Sequence, residues 1–138
     1  MSTVHITWYG HACYLLEAKG YRLGIDPYAP GSIPGYPPLS LEAHQVLVSH
    51  GHDDHSYIEA VTLLQGGNNP FAIHTIESFH DNANGTLRGE NRIHLIEMGD
   101  IRMVHLGDIG EMLDDRRLDA IGRCDLLMVP VGGYYTVD

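Results

Sequence analysis

The residues with the clearest capacity for chemistry form one short cluster: His50, Gly51, His52, Asp53, Asp54 and His55. The cluster follows the apolar run Val46–Val48, which predicts a strand that is buried on both faces. Residues two apart in an extended segment point the same way, so His50 and His52 can bind one ion together. Asp54 and His55 project in a different direction and are placed for a second ion. Imidazole and carboxylate donors suit Zn²⁺, Mn²⁺ or iron.

A polar helix cap that is rich in histidine is the alternative interpretation of this cluster. Several ionisable groups packed into six residues, directly after a buried strand, favour metal binding over a cap. The chain has ten histidines and a formal net charge of −10. Both observations agree with a metal protein, because histidine is the commonest side-chain metal ligand and bound cations offset negative charge.

Composition limits the other classes of function. A net charge of −10 disfavours a surface that tracks nucleic-acid phosphates. No run of 18 apolar residues is present, and the start lacks a basic region followed by an apolar stretch, so neither a membrane span nor a secretory signal is predicted. Cys13 and Cys124 have no metal or disulfide spacing, which predicts a cytoplasmic protein. The length predicts a single domain over residues 1–138.

Hydrophobic periodicity predicts a mixed α/β chain with a majority of strands around the cluster. The other predicted strands are Val4–Trp8, Cys13–Leu16, Tyr21–Ile25, Phe71–Ile76, Arg92–Met98, Ile101–Leu106 and Asp125–Val131. Helices are predicted over Tyr57–Gln65 and Met112–Ile121, and a hairpin turn at Gly99 and Asp100. The loop Pro27–Pro38 is too rich in Pro and Gly for regular structure, and we expect it to contact substrate.

Several motifs of this sequence, which occur in the expected order along the chain, resemble those of the metallo-β-lactamase fold superfamily. His-x-His-x-Asp-His after a hydrophobic strand is similar to the signature of that superfamily. The surrounding sequence resembles its branch of small metal-dependent hydrolases related to ascorbate-phosphate lactonases. The other segments that carry the resemblance are Trp8–Cys13, Ile25–Pro27, Ser78–Asp81, His105–Asp108 and Pro130–Thr136. The resemblance runs from about residue 4 to the end of the chain.

The resemblance implies an α/β fold, a metallo-β-lactamase-type αββα sandwich. It implies a first ion held by His50, His52 and His80, and a second ion held by Asp54 and His55. Zn²⁺ is the expected ion, with Mn²⁺ or iron as alternatives and one or two ions per site. An ion-bound water of lowered pKa is then the expected nucleophile.

The resemblance also implies that Asp108 lies between the two ions. Independently of it, His80 and Asp108 follow predicted strands, where side chains converge on a cleft, although solvated loop positions are the alternative. Asp54 and His11 are the residues that we assign to catalysis. For His11 a role beside the metals competes with that of a satisfied core histidine, and Asp26 is expected to orient the cluster through hydrogen bonds.

Members of this branch continue beyond the segment matched by Pro130–Thr136 and supply a late histidine to the second ion, whereas this chain stops at Asp138. We therefore expect a sandwich that is incomplete at its C-terminal end and a weaker second ion, unless water or another chain fills the position. The sequence leaves three explanations open: a naturally short, oligomeric protein, a fragment of a longer chain, or a site that holds one ion only. Exposed apolar surface would favour a homo-oligomer. Tyr134 and Tyr135 either line a substrate pocket or cover a strand end.

The leading functional prediction is metal-dependent hydrolysis of a small ester, lactone or phosphodiester in the cytoplasm. The expected partner is a small-molecule substrate, with no nucleic acid and no membrane. A metal-binding or assembly module, inactive because its last ligand is missing, is the alternative from another class. Redox chemistry at an iron site is a third hypothesis, since histidine and carboxylate ligands also accept iron.

Overall fold

The computed structural model describes residues 3–131 and Thr136, and the chain divides into two compact units, Met1–Pro70 and Phe71–Asp138. Each unit contains one four-stranded sheet. The predictions for Tyr134 and Tyr135 lie outside the described residues. Within the described ranges, no helix has the length and apolar character needed to cross a membrane. The single-domain organisation stays a prediction.

The first unit starts with an antiparallel meander, which confirms the strands predicted from alternation. Its strands are β1 (His5–Gly10), β2 (Cys13–Ala18), β3 (Tyr21–Ile25), β4 (Leu41–Ala43), β5 (Gln45–Leu47) and β6 (Val61–Leu63). The larger sheet has the order β1-β2-β3-β5, and β4 pairs with β6 separately. β3 and β5 run parallel, so their carboxyl ends meet at one edge of the sheet. Asp26 and the histidine cluster follow these two ends.

The core of this unit lies between the meander and the β4–β6 pair. Cys13 and Leu15 of β2 pack with Leu41, Ala43 and Val61. Leu15 is 1% exposed and Ala43 is 0% exposed. Full burial of a leucine contributes roughly 2 kcal/mol, so this contact fixes the short pair on the sheet.

We expect thiol labelling to separate the two cysteines, because burial and the nearby Asp26 carboxylate raise the pKa of Cys13 to about 12. Cys124 is only partly buried. In the folded chain at about pH 8, iodoacetamide should modify Cys124 and spare Cys13, since the thiolate is the reactive form. Peptide mass spectrometry measures the labelling, and both cysteines should react in the urea-unfolded chain. Equal labelling of the folded chain would contradict the burial of Cys13.

The helix predicted over Tyr57–Gln65 is wrong. The structure has a short 3₁₀ turn at Ile58–Ala60 and then strand β6. β6 pairs in parallel with β4, and the Leu64 N–H donates to the Ala43 carbonyl at 2.9 Å. The branched side chain of Val61 suits a strand better than a helix. The apolar residues at helical spacing in this segment bury little surface, so the pairing with β4 determines its structure instead.

The second unit forms one mixed sheet with one α-helix among its described residues. Its elements are β7 (Ala72–Phe79), β8 (Glu90–Met98), β9 (Ile101–His105), α1 (Asp115–Ile121) and β10 (Leu126–Met128). The order is β10-β9-β8-β7, in which only β9 and β10 are parallel. The strands and the hairpin turn predicted between residues 71 and 106 are confirmed. Ile121 of α1 packs with Ile93, Leu95 and Val104 to form the core.

The last two predicted elements are shorter in the structure. α1 begins after Asp114 rather than at Met112, because the Asp114 carboxylate caps the helix by accepting the Arg117 N–H at 2.9 Å. The strand predicted over Asp125–Val131 has three residues and is not buried throughout, since Leu127 is 46% exposed. Among the described residues β10 pairs only with β9, so it is an edge strand.

One buried carboxylate organises the loop after β7. Asp81 is 1% exposed and accepts hydrogen bonds at 2.7–3.0 Å from four backbone N–H groups, those of Ala83, Gly85, Leu87 and Arg88. These bonds, that of Arg88 first, lower the pKa of Asp81 to about 2 against the opposing effect of burial. The loop therefore folds around Asp81, directly after His80.

We expect Asp81→Asn to lower the melting temperature by several degrees near neutral pH, because one amide oxygen cannot satisfy four donors. The folded-state pKa is about 2 and lies below the ordinary value of 3.8. The stabilisation by the carboxylate is therefore complete above about pH 4 and disappears as the pH falls through about 2. The difference from wild type, measured by circular dichroism, should shrink on acidification. Asp119→Asn, on the exposed side of α1, is the control, and an equal effect of both substitutions would exclude this role.

Candidate metal centre

The histidine cluster follows β5 and folds into a tight turn. The N–H groups of His55 and Ser56 donate to the His52 carbonyl at 2.9 and 3.0 Å. The Ala29 N–H donates to the Asp53 carbonyl at 2.9 Å. The Pro- and Gly-rich loop therefore supports the turn, while its contact with substrate stays a prediction.

Asp26 is a buried carboxylate beside this turn. It is 0% exposed, and its φ of 48° lies in the left-handed region, which aspartate tolerates better than most residues. Its oxygens accept hydrogen bonds from the Ser49 N–H at 2.7 Å, from the Ser49 hydroxyl, and from His55 Nδ1 at 2.7 Å. These donors offset the cost of burying a charge. A proton held on Nδ1 leaves the lone pair of His55 on Nε2, which is the orienting role predicted for Asp26.

Three donor atoms come together where the cluster meets the turn between β1 and β2. His11 Nε2 lies 3.2 Å from Asp54 Oδ2 and 3.0 Å from His55 Nε2. Asp54 Oδ2 lies 3.5 Å from His55 Nε2. The ligands of a tetrahedral ion with bonds of about 2.0 Å are about 3.3 Å apart, so these atoms fit a divalent ion such as Zn²⁺. The sequence left His11 between a role beside the metals and that of a satisfied core histidine, and the structure brings its Nε2 next to Asp54 and His55.

The backbone of the β1–β2 turn explains how His11 reaches this position. His11 has a φ of 52° and Gly10 a φ of 99°. A Cβ at Gly10 would lie 2.8 Å from the ring of Tyr36, and the positive φ also disfavours a side chain. Both constraints require glycine at this position. Trp8 Nε1 donates to the His11 carbonyl at 2.9 Å and closes the turn. The Pro- and Gly-rich loop thus also packs against the turn that carries His11.

His50 and His52 lie side by side, with ring centroids 4.7 Å apart and planes at 90°. The ring of His50 also lies 4.1 Å from that of His55. His50 Nδ1 lies 2.9 Å from the Ser49 hydroxyl, which fixes the orientation of the ring. Ser49 therefore links Asp26 to His50. The sequence analysis did not assign it a role, although its position at the strand end, directly before the cluster, was a usable signal.

The other two predicted ligands form a pair in the second unit. His80 directly follows β7, and Asp108 follows β9. His80 Nε2 lies 3.1 Å from Asp108 Oδ2, and their side chains are 4% and 14% exposed. The structure therefore brings these two strand-end residues together. That they share ions with His50 and His52 stays a prediction.

Other histidines have structural partners. His44 stacks on Tyr21 with ring centroids 4.6 Å apart, and its Nδ1 accepts the Arg22 N–H at 3.0 Å. His105 Nδ1 accepts the Gly107 N–H at 3.1 Å. The exclusion of both histidines from the ligand set stays a prediction.

Comparison with known proteins gives the family. Residues 5–138 match the beta-lactamase superfamily domain. The chain belongs to this family. A UPF0173 metal-dependent hydrolase from Methanoregula boonei is 31% identical over 168 residues, covering 97% of this chain and 72% of that protein. Another from Thermoplasma acidophilum is 27% identical over 170 residues, covering 100% of this chain and 75% of that protein.

A solved structure confirms the fold class of this beta-lactamase superfamily member. A protein from Thermotoga maritima, described as a zinc-dependent hydrolase of the metallo-β-lactamase superfamily, is 32% identical, with a TM-score of 0.71. The match covers 98% of this chain and 65% of that one. The resemblance derived from the motifs is therefore confirmed, and the chain is a member of a family of metal-dependent hydrolases.

We expect Asp26→Asn to weaken Zn²⁺ binding by about 10- to 100-fold, because the carboxylate that holds the proton of His55 Nδ1 is lost. Competition with a chromophoric chelator measures the affinity. Asp53→Asn is the matched control, since Asp53 is an exposed carboxylate in the same turn. Its affinity should stay within about 3-fold of wild type. Equal affinities for the two variants would contradict the orienting role of Asp26.

Proposed function

We propose that this chain is a metal-dependent hydrolase that acts on a small ester, lactone or phosphodiester. The observation that carries the proposal is the group of donor atoms from His11, Asp54 and His55, which lie 3.0–3.5 Å apart. The names of the relatives, metal-dependent hydrolases, support the reaction class. The substrate class rests on the resemblance of the motifs.

The proposed ligand set follows the sequence assignment. His50, His52 and His80 hold the first ion, and Asp54 and His55 hold the second. The adjacent rings of His50 and His52 support the first group. The hydrogen bond from His55 Nδ1 to a buried carboxylate supports the second, because it leaves Nε2 available as a ligand.

Asp108 is proposed to lie between the ions, and His11 to act as a further donor to the second. Zn²⁺ is the proposed ion, because two imidazoles and one carboxylate are among its preferred donors, and Mn²⁺ and iron accept the same donor types. The chemistry that such an ion supplies when bound is the acidification of a water ligand and the polarisation of a carbonyl or phosphoryl group.

Asp54 and His11 are the proposed catalytic residues. Their side chains are 32% and 31% exposed, so a small substrate and solvent can reach both. Asp54 Oδ2 and His11 Nε2, which are 3.2 Å apart, would both hold the second ion. The second carboxylate oxygen of Asp54 would then accept a proton from the attacking water, and His11 would help to fix the position of the ion. His55 is 0% exposed and bonded to Asp26, so its role is confined to holding the ion.

We also propose a cytoplasmic location and self-association. Cys13 and Cys124 are free thiols, which fits a reducing compartment. Ile6 and Trp8 are 42% and 62% exposed on β1, an edge strand of its sheet, and exposed apolar edges favour association. The proposed partner is a small molecule, because the net charge of −10 disfavours nucleic acid.

The first test is the metal content per chain, measured by mass spectrometry on protein purified without added metal, together with its native mass. We expect about two ions per chain in a dimer or larger assembly, because the ligand set divides into two groups. About one ion, or none, would favour a metal-binding or assembly module over the hydrolase.

Substitution of a ligand tests the activity itself. Across a panel of lactones and phosphodiesters with saturating Zn²⁺, we expect His52→Ala to lower kcat/KM at least about 100-fold for any substrate turned over, because a ligand is removed. His74→Ala is the control, since His74 is an exposed histidine on β7. Activity unchanged by His52→Ala would exclude the proposed mechanism.

A further inference from the structure

Asn91 is a fully buried amide in a strand that is otherwise largely apolar on its buried positions. It is the second residue of β8 and is 0% exposed. It stands opposite Ser78 of β7 in the antiparallel register. A leucine or valine would suit this position by burial alone, because a buried amide is costly unless it is hydrogen-bonded. Its presence therefore calls for a specific set of partners.

The amide makes three hydrogen bonds to the two neighbouring chain segments. Asn91 Nδ2 donates to Ser78 Oγ at 2.9 Å and to the Leu106 carbonyl at 2.8 Å. Asn91 Oδ1 accepts the Asp108 N–H at 3.0 Å. Both N–H groups and the oxygen are used, and the chemistry of the partners fixes which end of the amide is which. No aliphatic side chain and no carboxylate can make this set of bonds.

The bonded atoms lie next to two proposed metal ligands. Ser78 is two residues before His80, and Leu106 is two residues before Asp108. His80 Nε2 and Asp108 Oδ2 are 3.1 Å apart. The Asn91 amide thus joins the segment that carries the histidine to the segment that carries the carboxylate.

Close backbone packing at the same place leaves these segments little freedom. The Gly110 N–H donates to the Phe79 carbonyl at 3.0 Å. A Cβ at Gly110 would lie 2.4 Å from the carbonyl carbon of His80, so only glycine fits. The contact at Gly110 fixes the distance between the two segments. The Asn91 amide bonds directly to the backbone of Asp108 and therefore fixes the orientation of that residue.

We infer that Asn91 is a positioning residue that holds His80 and Asp108 as one preformed pair of ligands; the inference rests on the proposed metal-dependent function. The Asn91 amide acts through the backbone of Asp108 and the hydroxyl of Ser78. Removing it frees the direction of the Asp108 carboxylate, so that the affinity for the ion falls while the sheet remains.

The test compares Asn91→Ala with Ile93→Ala in the full chain. Ile93 lies two residues along β8, on the same side of the strand, and is also 0% exposed, so its truncation destabilises the sheet without touching the amide network. Co²⁺ is titrated into each variant, with its visible absorption as a spectroscopic signature and chelator competition for the affinity. We expect Asn91→Ala to weaken binding about 10- to 100-fold and alter the spectrum, and Ile93→Ala to remain within about 3-fold.

Two further measurements test the inference even if the Asn91→Ala chain does not fold. Ser78→Ala removes one acceptor of the amide with little loss of volume, and we expect an intermediate loss of Co²⁺ affinity. In the wild-type chain, hydrogen exchange of the Asp108 N–H should be as slow as that of the β8 and β9 ladder. Fast exchange there would overturn the inference, as would a Ser78→Ala affinity equal to wild type.

The outcomes separate this inference from the function on which it rests. If the wild type binds Co²⁺ and Asn91→Ala binds it with unchanged affinity and spectrum, the positioning role is wrong and the metal site stands. If the wild type binds no Co²⁺, the proposed function fails, and the inference fails with it.

Discussion

The buried carboxylate of Asp26 is the constraint on which the first unit depends. A charge that is 0% exposed must be satisfied by donors of the protein, and these come from Ser49 and His55. Both donors belong to the segment after β5, so this segment must fold back onto the end of β3. The electrostatic requirement therefore shapes the turn, fixes the tautomer of His55 and, through Ser49, orients His50. Packing alone would not determine which nitrogen of each imidazole carries the proton.

In the second unit, buried polar groups of other types orient the segments that carry His80 and Asp108. Asp81 collects four backbone N–H donors and shapes the loop after His80, while a neutral amide, Asn91, bonds the segments on either side. In both units, fully hydrogen-bonded buried polar groups determine the orientation of the proposed metal ligands. The apolar cores contribute most of the stability, and these polar contacts also fix the directions of the side chains.

Sequence patterns predicted most of the strands and identified the histidine cluster by its spacing. They were wrong about the burial of the strand before that cluster, because β5 is half-buried at all three residues rather than buried on both faces. They failed where structure depends on a distant partner. The segment around Val61 has a helical spacing, and the three-residue strand with which it pairs has no visible signal. The position of His11 among the donors depends on a left-handed turn, which a sequence shows only as a neighbouring glycine. Asn91 lies just before the predicted strand Arg92–Met98, so its burial was not predicted, and its partners lie on two other segments.

The bond from Trp8 to the carbonyl of His11 has a spectroscopic consequence. Trp8 is the only tryptophan of the chain and is 62% exposed, so its indole senses both solvent and the turn to which it is bonded. The emission of an indole depends on the polarity of its surroundings and on its hydrogen bonds. A displacement of His11 would change both. The protein therefore carries an intrinsic fluorescent reporter that is hydrogen-bonded to the residue carrying one of the donor atoms, and ordering of that turn is observable without any label.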